Sequence, residues 1–355
     1  FYQQMADRPG VFPRTSMPTV EDYLTVLRPM VERGEPVLCV CLNAPFSGSF
    51  QAARNARSLL MEEFPRAEVC VLDSQLATVL QGVLVLEAVH LRDAGVSLAA
   101  AAAQLESNRK TGRIFFTTND LEYLKHGGRV GRAAAAAGSL LHVKPLIGYR
   151  DGGLISDGIA QGRKRSMQRV RELFCRYVER KGLDLSQYYV VTGCGLDEEE
   201  YRVFTDQLFE ELEQRGWPAR YEHPFHIGVT IGVHTGPTPI GVGLLRRENC
   251  PPESKKKKKG WGAGTFWVRP RVYCSIRQAL RPEGKEAPDT ERRGESLRSV
   301  YLDKREKNRP KSAEFCNEIV ACHFAETWYP DSGRRMEWIM TPCSIWARNW
   351  DINWY

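Results

Sequence analysis

The sequence predicts an α/β protein built as two α/β domains, residues 1–111 and 112–247, and three observations carry that prediction. PVLCVCL (36–42) and AEVCVLDS (67–74) are nearly unbroken apolar runs, the pattern of strands buried on both faces of a parallel sheet. Each run is followed by a segment of helical length and period, so the first domain reads as a three-layer parallel sheet covered by helices. After RIFFTT (113–118) the order changes. Asp151, Gly152 and Gly153 mark a tight turn between two strand-like runs, HVKPLIGY and GLISDGIA. The second domain therefore reads as a mixed sheet with helices on one face.

The elements follow in order. Thr19 and Asp22 have capping-box spacing and open a helix, VEDYLTVLRPMVERG, that ends at Gly34. Strand 36–42 leads through NAPFSGSF to a helix at about 50–63, and strand 67–74 leads to the helix LQGVLVLEAVHLRDAG. An Ala-rich helix covers 97–109. In the second domain a short helix, NDLEYLKH, stops at Gly127 and Gly128, where a left-handed C-cap suits glycine alone. The hairpin comes next, then a basic helix (163–181), a strand (YYVVTGCG) and an acidic helix (198–215). ARYEHPF (219–225) and GVTIGVHTGPTPIGVGLL (228–245) read as the two closing strands.

Composition divides the chain. Residues 1–250 hold 29 basic and 29 acidic side chains, so the whole net charge of +7 falls beyond them. Seven of the eight tryptophans also lie there, so residues 248–355 are set apart as a basic, Trp-rich tail, disordered or non-native. The five-Lys run at 255–259 would be encoded by adenine-rich codons, where a frame can slip. We read 260–355 as out-of-frame translation, the alternative being a genuine accessory tail. The chain opens at Phe1 in mid-pattern, which reads as the loss of an upstream piece. No run reaches the roughly 18–20 apolar residues of a membrane span. The cysteines form no CxxC pair. Cys39 and Cys41 alternate on an apolar strand and read as core residues of a protein from a reducing cytoplasm.

No Walker loop, HExxH, GxSxG or strand-linked GxGxxG is present, and no nucleophile–base pair is evident. No catalytic residue, cofactor or metal site is assigned. His223 and His226 lack the cysteine or carboxylate company that a zinc site needs. The polar candidates lie at element junctions. Thr15 and Ser16 precede a helix, and Ser47, Gly48 and Ser49 join a strand to the next helix. Such junctions gather anions on helix N-termini at the carboxyl ends of parallel strands; the competing reading is that these residues are N-caps. His234 and Thr235, in GVHTGP, either donate to an anion or satisfy a loop carbonyl. Arg163 begins the basic run GRKRSMQRVR, which is either a solvated face or a docking and anion-contact surface.

Together the segments TSMP (15–18), FSGSF (46–50), VLDS (71–74), LEYLKHGGR (121–129), LLHVKPLI (140–147), GRKR (162–165) and HTGP (234–237) resemble the DegV family of bacterial fatty-acid-binding proteins. The resemblance implies two α/β domains with a long-chain fatty acid between them, the acyl chain in an apolar tunnel. It implies carboxylate contacts from Thr15, Ser47 or Ser49, with His234 nearby and Arg163 as a further member. It also implies a partner, a separate fatty acid kinase that phosphorylates the bound acid. The family opens with a strand carrying a TDS motif that is missing here, so the first sheet is expected to be incomplete. Gln161 and SGSF stand where the family has Arg and SGTY. A nucleic-acid-binding protein using helix 163–171 and the Lys-rich segment 255–259 is the alternative function; the neutral balance of residues 1–250 argues against it.

Overall fold

In the computed structural model, which describes residues 1–133, 143–219, 225–247 and 318–322, the apolar run Val37–Cys41 (β1) is buried at every position. Its alternation explains the layering of the first sheet. Val37, Cys39 and Cys41 face helices Val20–Glu32 (α2) and Ser49–Glu63 (α3), and the small residues Ala52, Ala53 and Ala56 bring α3 close to the strand. Leu38 and Val40 point the other way, with Leu72 of Val69–Asp73 (β2), onto Thr78–Asp93 (α4) and Leu98–Asn108 (α5). β1 and β2 pair in parallel. Cys39 and Cys41 are buried and not joined in a disulfide, and their Sγ atoms lie 3.7 Å apart. Thr19 makes the reciprocal capping box with Asp22 at the start of α2.

The second sheet has six strands. They are Arg113–Thr117 (β3), Val143–Arg150 (β4), Gly153–Gln161 (β5), Tyr188–Cys194 (β6), Phe225–His226 (β7) and Ile240–Arg246 (β8), in the order β5-β4-β3-β8-β6-β7. All neighbours are antiparallel except β6 and β7. The β4–β5 turn places Asp151 and Gly152 at φ 54° and 75°, the conformation that matches a hairpin to strand twist. One face carries Arg163–Lys181 (α7) and Glu198–Gln214 (α8), where Phe174, Phe204 and Leu208 pack on Val190 and Val242. The opposite face meets α4: Tyr189, Val191 and Leu245 join the same core cluster as Leu80, Leu84 and Ala88. Glu122–His126 (α6) stops with Gly128, at φ 68°, as its left-handed residue. None of the described helices is long and apolar enough to cross a membrane.

Three departures from the sequence reading matter. Tyr2–Asp7 forms a short helix (α1) that the sequence did not announce. Val229–Thr235 is a helix (α9), not the first half of a strand. Its β-branched residues favour a strand locally, but Gly228 and Gly236 bound seven residues whose Val233 and Thr235 are buried, and tertiary packing overrides propensity. Residues 220–224 of the other closing segment lie outside the described residues. Third, Glu318–Cys322 is a strand (β9), paired in parallel with β1 in register Val37↔Glu318 to Cys41↔Cys322. The first sheet is thus β2-β1-β9, and the tail is not uniformly without structure. The rest of the tail, including the Lys run, lies outside the described residues.

All described elements belong to one compact unit. β9 covers an edge of β1 that would otherwise present unpaired backbone groups. A chain cut after Cys250 should lose a five-residue ladder, at roughly 1 kcal/mol per hydrogen bond. We expect a lower melting temperature and concentration-dependent association in size-exclusion chromatography. An unchanged melting temperature would show that β9 adds nothing.

Candidate functional site

A cavity of about 200 Å³ lies between the two sheets. It opens where α4 begins: Ala77, Thr78 and Val79 line it, along with Phe46 from the first sheet's loops and Ile114, Phe116 and Gly241 from the second sheet. Most of the wall is apolar. Its polar side chains come from six places. The N-terminal segment gives Thr15 and Ser16, the β1–α3 junction gives Ser47 and Ser49 on either side of Gly48, the start of α4 gives Thr78, the segment after α6 gives Arg129, β4 gives Tyr149, and α9 gives Thr230, His234 and Thr235.

The junction reading and the capping reading can now be separated. Thr19, not Thr15 or Ser16, caps α2. Thr15 Oγ1 instead lies 2.9 Å from His234 Nε2, a contact joining residues 219 apart in the chain. At α3 the N-cap residue is Gly48, without a side-chain cap bond. Ser47 Oγ accepts from the Ser49 backbone N–H at 3.2 Å and lies 2.6 Å from Ser49 Oγ. Both hydroxyls therefore sit at the positive end of a 15-residue helix. Thr235 is committed locally, its hydroxyl donating to the Ile231 carbonyl at 3.0 Å.

His234 is the electrostatic centre. Removal from water, with a smaller contribution from the Arg129 charge, lowers its pKa to about 4, so the ring is neutral near pH 7. Its Nδ1 is buried with no partner among the described residues. Orphaned N–H groups are rarer than under-satisfied acceptors, which favours the tautomer with the proton on Nε2. In that tautomer Nε2 donates to Thr15 Oγ1, and the Thr15 hydroxyl proton remains free for another acceptor. The ring fits because residue 127 is glycine: a Cβ there would stand 2.1 Å from His234 Nδ1. Gly236 ends α9 at φ 80°, and a Cβ there would press into the Tyr123 ring at 2.7 Å.

Arg129 was not singled out from the sequence, although it ends the LEYLKHGGR segment. Its Nε donates to the Phe46 carbonyl at 3.1 Å and Nη1 to the Gly127 carbonyl at 2.6 Å. Among the described residues it is the one Lys or Arg lining the cavity, and no Asp or Glu lines it. Its place at the end of LEYLKHGGR was the one signal in the sequence. Arg163 is a correction: it is not among the lining residues. Its guanidinium donates to Glu200, with Nε 2.9 Å from Oε1, because Glu200 on the neighbouring helix α8 offers a carboxylate. His226 lies 3.5 Å from Glu198; His223 is outside the described residues. Among the described residues no group of three His, Cys, Asp or Glu could hold a metal.

The described residues form a two-sheet α/β scaffold whose cavity carries both apolar and polar walls. Residues 1–247 match the family model described as "Uncharacterised protein, DegV family", and the chain belongs to the DegV family. It is 29% identical over 247 residues to a DegV domain-containing protein of Clostridium perfringens, covering 69% of this chain and 81% of that one. Among solved structures, it is similar to a stearic-acid-binding protein from Eubacterium ventriosum, with 39% identity, a TM-score of 0.65, and coverage of 69% and 82%. A fatty-acid-binding DegV family protein from Thermus thermophilus gives 31% identity, a TM-score of 0.60, and coverage of 69% and 83%.

The depressed His234 pKa links the site to stability. The unfolded ring, with its ordinary pKa of 6.5, takes up a proton that the folded ring refuses until about pH 4. The stabilisation is therefore complete above pH 6.5 and is lost as pH falls toward 4, up to roughly 3 kcal/mol. Urea melts of wild type and His234→Gln between pH 4 and 7.5 test this. The wild type should weaken more steeply with acid; parallel curves would contradict it.

Proposed function

We propose that this chain binds a long-chain fatty acid in the cavity between its sheets and acts as a carrier, not an enzyme. The observation that carries the reading is the Thr15–His234 pair facing Ser47 and Ser49 at one end of an apolar cavity. A buried carboxylate is tolerated only when it is hydrogen-bonded. The free Thr15 hydroxyl, the serine hydroxyls and the first turn of α3 supply donors to a carboxylate, and Arg129 supplies a positive charge held in place by two backbone carbonyls. Each buried CH₂ adds roughly 0.8 kcal/mol, so affinity comes from the acyl chain and orientation from the head group. The similarity to a stearic-acid-binding protein at 39% identity supports the same ligand class.

On this reading the partition is 1–111 and 112–247, with the ligand between the two parts, in a cytoplasmic protein. The acid is held for a separate fatty acid kinase, which phosphorylates the carboxylate. Neutral hydroxyl donors suit that step, since they leave the carboxylate oxygens nucleophilic. Arg163 and the exposed start of α7 then belong to the surface that meets the kinase, in keeping with the placement of Arg163 away from the cavity.

Organic extraction of purified protein, followed by mass spectrometry, should release a long-chain fatty acid in near-stoichiometric amount; a consistently empty protein would sink the reading. Thr15→Ala with Ser47→Ala removes two hydrogen bonds to a charged group, each worth roughly 1.5–3 kcal/mol. Affinity for a fluorescent fatty acid should fall at least about a hundredfold, and unchanged affinity would refute the head-group assignment.

A further inference from the structure

The cavity wall holds a further hydroxyl outside the Thr15–His234 and Ser47–Ser49 pairs. Thr78 is the first residue of α4 and lines the cavity. Its Oγ1 is shielded from solvent and has no hydrogen-bond partner among the described residues. Its neighbours on either side, Ala77 and Val79, are buried and apolar. One turn further along α4, Gln81 is 2% exposed. Its Nε2 donates to the Val40 carbonyl at 3.4 Å, while its Oε1 is buried and unpartnered. Gln81 is not among the residues lining the cavity, whereas Thr78 is.

The backbone adds a separate observation. Thr78 has φ 52°, in the left-handed region where a β-branched residue is an outlier and where a residue held against its preference costs on the order of 1–3 kcal/mol. Ala77, the N-cap, offers no side-chain bond to the helix start. A capping role therefore does not account for the threonine. Glycine would hold the same turn without strain, and it would leave no orphaned hydroxyl in an apolar wall.

We infer that Thr78 recognises an oxygen on the acyl chain itself, so that the cavity prefers a hydroxylated fatty acid to the plain acid of equal length. This rests on the fatty-acid reading above. A hydroxyl is the matching group because it donates and accepts at once. It can accept a hydrogen bond from Thr78 Oγ1 or donate one to it. A plain chain leaves Thr78 Oγ1 unpaired. Because a site built to hydrogen-bond a hydroxyl loses much of its affinity for an analogue lacking it, the preference should be large enough to measure.

The test is a competition assay on the full chain, using hexadecanoic acid and its series of monohydroxy positional isomers. At least one isomer should displace a bound fluorescent fatty acid about tenfold better than the plain acid. In Thr78→Val, which keeps the shape and removes the hydroxyl, the ratio between that isomer and the plain acid should fall to about one; Thr78→Ser should restore it. Thr78→Gly should also lose the preference while raising the melting temperature of the lipid-free protein. If the plain acid binds and no isomer exceeds it, or if the preference survives in Thr78→Val, the inference is overturned. If neither class binds, the fatty-acid reading itself fails.

Discussion

The described fold depends on α4 being packed between the two sheets. Its sequence, TVLQGVLVLEAVHLRD, is apolar around most of its circumference, and nine of its residues are buried. A helix of that kind cannot lie on a surface. One side packs on Leu38, Val40 and Leu72 of the first sheet, and the other meets Tyr189, Val191 and Leu245 of the second. Glu87, also buried, is tolerated because the Tyr189 hydroxyl donates to it. Two sheets in direct contact stack about 10 Å apart, and the helix between them adds its own thickness of about 10 Å. At its N-terminal end, where Ala77, Thr78 and Val79 line the wall, the cavity opens.

The polar end of the cavity is assembled from chain segments that are far apart, and steric clearance joins them. Gly127 has no side chain, so His234 can enter; His234 reaches Thr15; Arg129 anchors on the carbonyls of Phe46 and Gly127. The co-occurrence of LEYLKHGGR with HTGP in one sequence is therefore a physical contact. Neutral imidazole suits this place. A charged ring beside Arg129 would add repulsion to the cost of desolvation, and both push the proton off.

Much of this was legible in the sequence, for identifiable reasons. Unbroken apolar strands, a capping box and an Asp-Gly turn are local signals, and local forces decide those elements. Thr15, Ser47, Ser49 and His234 were singled out by the TSMP, FSGSF and HTGP segments, since a hydroxyl or imidazole at an element junction reads equally as a cap or a loop contact. The failures are non-local. Alternating Val229, Ile231 and Val233 mimic a strand, and only burial against the rest of the unit makes α9 a helix. Arg163 and Arg129 both follow glycines, and nothing in the sequence shows that one finds Glu200 while the other finds backbone carbonyls beside a cavity. The strand at 318–322 was hidden because its surroundings carry no periodicity.

That last strand also bears on synthesis. β1 acquires its second neighbour from a partner roughly 280 residues further along the chain, among the most non-local pairings a protein of this length can make. Elements leave the ribosome in order, so β1, β2 and their covering helices exist long before β9 does. Throughout that interval the β1–β2 pair waits for the neighbour that β9 supplies in the finished chain. The last step in building the described first sheet is therefore set by the rate of translation, not by the speed of local folding.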